Sequence, residues 1–376
     1  MPLALPPTIG KSMADELSID PWGSSQSTDY SRIIDQFGLQ SMQDVDVPNP
    51  SRLHRRDVIF AHRDLEFALK EHEKDNLFLY TGCGPSGSIH LGHAMVWKFT
   101  KWLQDVLDVD LWFQFTDDEK FLFKDKSFEE IQELMKDNML DVIALGFNPK
   151  KTHFLIDTKH ASIMYPEAIK VAKKLTASSI KSCFGLGDSD NVGMFFYTAM
   201  QAVPAFLPSI LKKKKMACLI PHAIDQDPHF RLTRDILPKL GFFKPASIQC
   251  SFLPPLTGVE GKMSSSGDAF IALTDTPEQV KKKINKYAFS GGQDTLEEHR
   301  KRGGNPDIDI SFQYLRFLFE PDDKKLSKIK SDYRTGKLLS GELKKILIDK
   351  INDFLKHHQA EREKAKKKVD QFVLKI

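Results

Sequence analysis

Cysteine is scarce in this chain of 376 residues, which has four: Cys83, Cys183, Cys218 and Cys250. None stands in C-x-x-C spacing or has a histidine in register, which argues against structural zinc and disulfides and fits a reducing compartment. No apolar run approaches the roughly 18 residues a membrane-spanning helix needs, so no membrane partner is expected. The N-terminus has no apolar signal core and its first arginine is Arg32, so no leader is expected and the location reads as cytoplasmic. Charge of one sign is not in excess either: the net charge of +3 is too small to point to a partner. Basic residues cluster locally, in the lysine run at 212–215 and at Lys364, Lys366, Lys367 and Lys368. A solvated face and an RNA contact are both open readings there. Repeats of fixed period are absent. What remains, at 41% hydrophobic and 28% charged, is a globular chain long enough for one or two domains.

The most informative stretch is residues 77–93, LFLYTGCGPSGSIHLGH. Leu77, Phe78, Leu79 and Tyr80 are expected to form a short buried strand. Gly82, Gly84, Pro85 and Gly87 are expected to force a loop, with a helix from about His90. A strand, a glycine-rich turn and a helix start place backbone N–H groups and a helix dipole against a phosphate. Gly82, Gly84 and Gly87 satisfy the dinucleotide pattern G-x-G-x-x-G, and Asp105, Asp108 and Asp110 lie where a ribose-binding acid could stand. That reading leaves His90 and His93 unexplained. Read instead as HLGH, the two histidines share a helix face and can donate to phosphate oxygens, while Gly92 leaves room for a flat base.

Far downstream, residues 261–266 read GKMSSS in a Gly- and Ser-rich loop. A P-loop is excluded, because Leu256 and Met263 stand where it needs Gly and Ser or Thr. Lys262 on a movable loop suits a cation that must meet charge building on the β- and γ-phosphates.

Between and around these motifs the chain alternates. Residues 29–38 read as a short helix and 45–51 as a linker, with folded order expected near Arg55. Strands are expected at 58–60, 109–116, 153–156 and 217–221. The helix at 127–147 opens on a Ser127/Glu130 capping box. Alternation argues a parallel sheet with helices on both faces, its ligands beyond the carboxyl ends of the strands. Past Thr274 the pattern is helical only, starting from Thr276, Pro277 and Gln279, and reads as a separate all-helical domain.

HLGH and GKMSSS, in that order, resemble the HIGH and KMSKS signatures of class I aminoacyl-tRNA synthetases. From about residue 19 the chain resembles eukaryotic cytosolic tryptophanyl-tRNA synthetases over almost its whole length. The segments that carry this are DPW (20–22), HRDL (62–65), LYTGCGPSGSIHLGH, FTKWLQDV (99–106), QFTDDEKFL (114–122), CLIPHAIDQDPHFRLTRD, GKMSSS and NKYAFSGGQDTLEEHRKRGGN. The resemblance implies a Rossmann-like parallel-sheet catalytic domain at 55–273, with a helical insertion, and a helical anticodon-binding domain at 274–363. An N-terminal extension, partly disordered, would occupy 1–54, and a basic C-terminal helix at 364–376 would pack back on the catalytic domain.

The resemblance also implies substrates and roles. L-tryptophan, ATP and tRNA(Trp) are the expected partners, with Mg²⁺ on the ATP phosphates, no protein-bound metal, and a homodimer. Tyr80 and Gln114 would take the indole N–H, with Thr116 in the same pocket. Glu119 and Gln201 would take the ammonium, Gln226 beside them. Gly82, Gly84, His90, Gly92 and His93 would contact ATP, and Lys262, Met263, Ser264 and Ser266 its pyrophosphate end; His90, His93 and Lys262 are the expected catalytic residues. Cys83 departs from the family's usual arginine, the loop from 84 to 90 is about one residue short, and Ser265 stands at the second lysine of KMSKS. Outside the resemblance, Tyr80 is an ordinary half-buried aromatic and Asp117, Asp118 and Glu119 are ordinary turn residues. The competing functions are tyrosine–tRNA ligase, a nicotinamide (NAD) dehydrogenase using G-x-G-x-x-G, and a catalytically silent RNA-binding paralogue.

Overall fold

The computed structural model describes residues 30–47, 50–261, 263 and 267–376. Seven strands form one sheet: β1 (Gln40–Ser41), β2 (Ile59–Arg63), β3 (Leu77–Cys83), β4 (Leu111–Phe115), β5 (Thr152–Ile156), β6 (Ala217–Ala223) and β7 (Ala246–Cys250). Their spatial order is β1-β2-β7-β6-β3-β4-β5. The five from β7 to β5 are mutually parallel, while β2 runs antiparallel to β7 and β1 antiparallel to β2. The sheet is therefore parallel-dominated and mixed, the fold of a Rossmann-like α/β domain with an antiparallel margin that the sequence pattern did not announce.

Burial on both faces explains the apolar strands. Along β3, Leu77 and Leu79 join Phe113, Leu219 and, from the helix Leu91–Leu107, Met95 and Phe99. Phe78 and Tyr80, one residue out of phase, face Trp112, Cys218 and Ile220 under the helix Val192–Ala202. Strand β3 also runs two residues further than its glycine suggests, because Gly82 and Cys83 pair with Gln114 and Phe115 of β4. Ladder pairing on a central strand outweighs the weak strand preference of glycine. Strand β7 (ASIQC) was illegible: it is wholly buried, yet its Ser and Gln break the apolar run.

Order begins earlier than Arg55. The helix Tyr30–Phe37 is seated by Tyr30, whose ring lies 4.5 Å from that of Phe60 and whose hydroxyl accepts from the Phe252 N–H at 3.0 Å. The helical end is not set apart by a linker either. Leu343, Leu347, Ile351 and Leu355 form one buried stripe of the helix Ser340–Ala365, and they belong to the same apolar core as the sheet. That helix continues past the expected break at 363, since Ala365 is still buried. The last turn, Val369–Phe372, sets the Phe372 ring tilted against that of Phe154 with centroids 5.1 Å apart, and the Leu374 N–H donates to the Phe154 carbonyl at 3.0 Å. The tail thereby covers the otherwise open β5 edge. Among the described residues no helix is long and apolar enough to cross a membrane.

One buried polar tie joins the two parts. Asp141 of the helix Phe128–Ala144 accepts from His358 Nε2 at 2.8 Å and from Arg362 Nη1 at 2.6 Å, with Asp141 and His358 each 1% exposed. Removing one partner of a buried ionic group strands the other. Asp141→Ala is expected to cost about 3–5 kcal/mol of unfolding free energy in urea titration; a loss below about 1 kcal/mol would show that the tie contributes no more than a surface pair.

Candidate active site

The parallel strands bring their carboxyl ends to one rim, and a cavity of about 600 Å³ opens there. Its wall contains Tyr80, Gly82 and Gly84 from β3 and its turn, Gln114 and Thr116 from β4 and its end, and Glu119. His90, Gly92 and His93 enter from the helix start, Gln201 from the helix Val192–Ala202, Gln226 from the turn after β6, and Met263 from the downstream loop. Lys262, Ser264 and Ser266 lie outside the described residues.

The two motif loops meet. Met263 is 7% exposed, and a Cβ placed on Gly92 would stand 3.8 Å from its Cβ. Just beyond the loop the chain returns to the helix start: the Leu91 N–H donates to the Ile271 carbonyl at 3.1 Å, and the Leu273 N–H to the Ile89 carbonyl at 2.9 Å. Residues 89–91, at the start of HLGH, and residues 271–273 are therefore neighbours by backbone pairing.

His90 is the N-cap of the helix Leu91–Leu107. Its Nδ1 accepts from the Gly92 N–H at 3.1 Å, and His93 Nδ1 accepts from the His90 N–H at 3.5 Å. An accepting Nδ1 carries no proton, so each neutral ring presents Nε2–H as a donor. Burial pushes His90 well below the ordinary imidazole range and His93 down to about 4, so neither needs to lose a proton at neutral pH. Their rings stack with centroids 3.9 Å apart, which two imidazolium cations would resist.

Deeper in, Tyr80 donates to Gln114 Oε1 at 2.5 Å and accepts from Gln201 Nε2 at 2.6 Å. Gln201 thus stands against both Tyr80 and Gln114, its Nε2 also 3.3 Å from Gln114 Oε1. Phe230 meets Tyr80 edge-on at 5.9 Å and lies 4.8 Å from the His222 ring, making an aromatic slot. Toward the opening, Thr116 Oγ1 donates to Glu119 Oε2 at 2.6 Å, and Lys120 Nζ to Glu119 Oε1 at 2.6 Å. Lys120 lies over Gly84, where a Cβ would stand 2.0 Å from its Cε, so a side chain there would require Lys120 to move. Cys83 turns into the core, its thiol pushed up to about 12 by burial.

Lys120, Tyr197, His222 and Phe230 were missed. Three of them sit within the quoted segments QFTDDEKFL and CLIPHAIDQDPHFRLTRD, so position next to a strand end was the available signal. Tyr197 had none, because only the helix packing brings it to the cavity.

A Rossmann-like sheet whose strand ends hold a histidine-capped helix start, backbone-paired to residues 271–273 and packed by Met263, is the arrangement of a class I aminoacyl-tRNA synthetase. Residues 72–356 match the family of tRNA synthetases class I (W and Y). The tryptophan–tRNA ligase of Sulfurisphaera tokodaii is 50% identical over 96% of each chain, and the cytoplasmic tryptophan–tRNA ligase of rabbit (Oryctolagus cuniculus) 44% identical over 92% of this chain and 78% of its own. The crystal structure of Plasmodium falciparum tryptophanyl-tRNA synthetase superposes with a TM-score of 0.84 at 40% identity, covering 92% of this chain and 97% of that one. The chain belongs to this family, in its tryptophan–tRNA ligase branch. Its substrates are tryptophan, ATP and tRNA(Trp); the tyrosine and nicotinamide alternatives are not favoured.

The buried histidines give stability a sign in pH. Between the ordinary 6.5 and about 4, the unfolded chain binds a proton at residue 93 that the folded chain refuses, so stability falls as pH falls through that window. In urea unfolding at pH 7 and pH 5, His93→Gln should lose less stability across the interval than the parent; equal losses would refute the assignment.

Proposed function

We propose that the cavity activates tryptophan in the way its walls suggest: the indole N–H is accepted by Tyr80 and Gln114, and the triphosphate is met by His90, His93 and Lys262. The observation that supports this is the backbone pairing of residues 89–91 with 271–273, a few residues beyond GKMSSS in the chain, together with Met263 beside Gly92. The tryptophan carboxylate, already ionised, attacks the α-phosphorus; pyrophosphate leaves, and the acyl group then passes to the terminal ribose of the tRNA. No general base is required for the first step. The work is positioning and charge stabilisation by two neutral Nε2–H donors, a helix N-terminus and Lys262. Gly82, Gly84 and Gly92 leave space for ATP, with Met263, Ser264 and Ser266 beside it. Thr116, Glu119, Gln201 and Gln226 border the amino-acid end.

Mg²⁺ enters this reading on the phosphates. Glu119 is engaged by Thr116 and Lys120, and no three His, Cys, Asp or Glu side chains converge among the described residues, so the donor set suits an ion held by the nucleotide. The ion would supply counter-charge to the phosphates.

The finer assignments rest on likeness and surface. The Sulfurisphaera tokodaii ligase, at 50% identity, is more similar than the rabbit cytoplasmic one at 44%, so the type we propose is that shared by archaeal and eukaryotic cytosolic enzymes, acting in the cytoplasm. The part up to about residue 273 is read as catalytic and the helices beyond it as the anticodon side, with residues 1–54 an extension of unassigned role and 364–376 a basic tail. A homodimer is supported by exposed Tyr165, Ile169 and Val192 on adjoining helices.

Lys262→Ala is expected to slow tryptophan-dependent pyrophosphate exchange by about 100-fold or more, and exchange at the parental rate would remove Lys262 from the mechanism. Tyr80→Phe should raise the KM for tryptophan by about tenfold or more and leave that for ATP nearly unchanged; equal effects on both would count against the indole assignment.

A further inference from the structure

Asp157, just past β5, is unused by the reaction as described, yet it is 1% exposed and hydrogen-bonded under the amino-acid pocket. Gln114 Nε2 donates to both of its carboxyl oxygens at 2.9 Å. From there a head-to-tail series can be followed: Tyr80 donates to Gln114 Oε1, Gln201 Nε2 donates to the Tyr80 oxygen, and the Tyr197 hydroxyl donates to Gln201 Oε1. Each amide and hydroxyl in the series could in principle be turned round. The carboxyl could not, since the oxygens it shows to Gln114 only accept.

We propose that Asp157 is a positioning residue that terminates this series and sets its direction, so that Gln114 presents its carbonyl oxygen, and never its N–H, to the ring of the amino acid. The pocket is thereby fixed as one that takes a ring donor. Asp118 completes the arrangement from the far side, where its carboxyl is hydrogen-bonded to that of Asp157. Burial drives Asp157 well above the ordinary carboxylate range and Asp118 to about 6, so the two share a proton, which lies between them and leaves the Gln114 side accepting. A two-headed amide without such a terminus would serve a ring acceptor as well as a ring donor, and selection by an unpaired buried group would be lost.

This rests on the assignment of Tyr80 and Gln114 to the ring N–H, and the test separates the two. The full-length enzyme is assayed by pyrophosphate exchange with tryptophan and with its benzofuran analogue, which carries an oxygen acceptor in place of the N–H. Asp157→Asn offers Gln114 either a donor or an acceptor, so the preference for tryptophan over the analogue should fall by about tenfold or more while the KM for ATP stays put. Adding Gln114→Glu, a carboxylate that can only accept, should restore the preference. An unchanged preference in Asp157→Asn, with Tyr80→Phe still impairing tryptophan, overturns the positioning role alone; an unchanged KM for tryptophan in Tyr80→Phe overturns the pocket assignment itself. If Asp157→Asn yields no folded protein, Asp157→Ser, whose hydroxyl also offers Gln114 either a donor or an acceptor, takes its place. A fallen preference supports the role, and an unchanged preference with ATP binding intact refutes it.

Discussion

Two backbone hydrogen bonds, Leu91 N–H to Ile271 and Leu273 N–H to Ile89, hold together segments that the chain keeps far apart. Five parallel strands gather their carboxyl ends at one rim, but nothing in that geometry alone delivers residues 271–273 to it. The short pairing does. The same downstream segment is clamped from the helical side: Lys283 reaches Asp275 at 2.7 Å, Asp275 accepts from the Ala272 N–H, and Gln359 Nε2 donates to the carbonyls of Leu273 and Asp275 at 3.1 Å each. The strip paired with the helix start is thus fixed by the helix Ser340–Ala365 as much as by the sheet. Helical region and rim share an anchor.

Much of this was legible in the sequence wherever local chemistry and tertiary context agree. The Ser127/Glu130 and Thr276/Gln279 boxes cap the helices Phe128–Ala144 and Pro277–Tyr287 at the expected residues. HLGH sits on a helix start, and the strand before it is buried. What could not be read is what packing decides. Gly82 and Cys83 are strand because β4 pairs with them, and β7 is strand in spite of its polar residues because two neighbours bury it. The placement of Gln201 against Tyr80 depends on a helix whose approach no local pattern encodes. Site residues were legible where they stand within a signature or at a strand end, and lost where, like Tyr197, they arrive from across the cavity.

Burial acts on the cavity's ionisable groups in one direction, toward neutrality. It lowers the imidazoles of His90, His93 and His222 and raises the carboxyls of Asp118 and Asp157. The Tyr80–Gln114 end is consequently a place of oriented dipoles, where a buried partner left unmatched is costly. Formal charge in the cavity wall stands on the Glu119–Lys120 pair and on Lys124 and Lys126. The N–H donors of His90 and His93 are neutral and do not repel one another, and their Nδ1 contacts to backbone N–H groups fix each ring in place. Donors held in this way need no rearrangement to meet developing negative charge, which is the condition under which electrostatic stabilisation is strongest. Met263 and the 271–273 segment pack over the helix start that carries them.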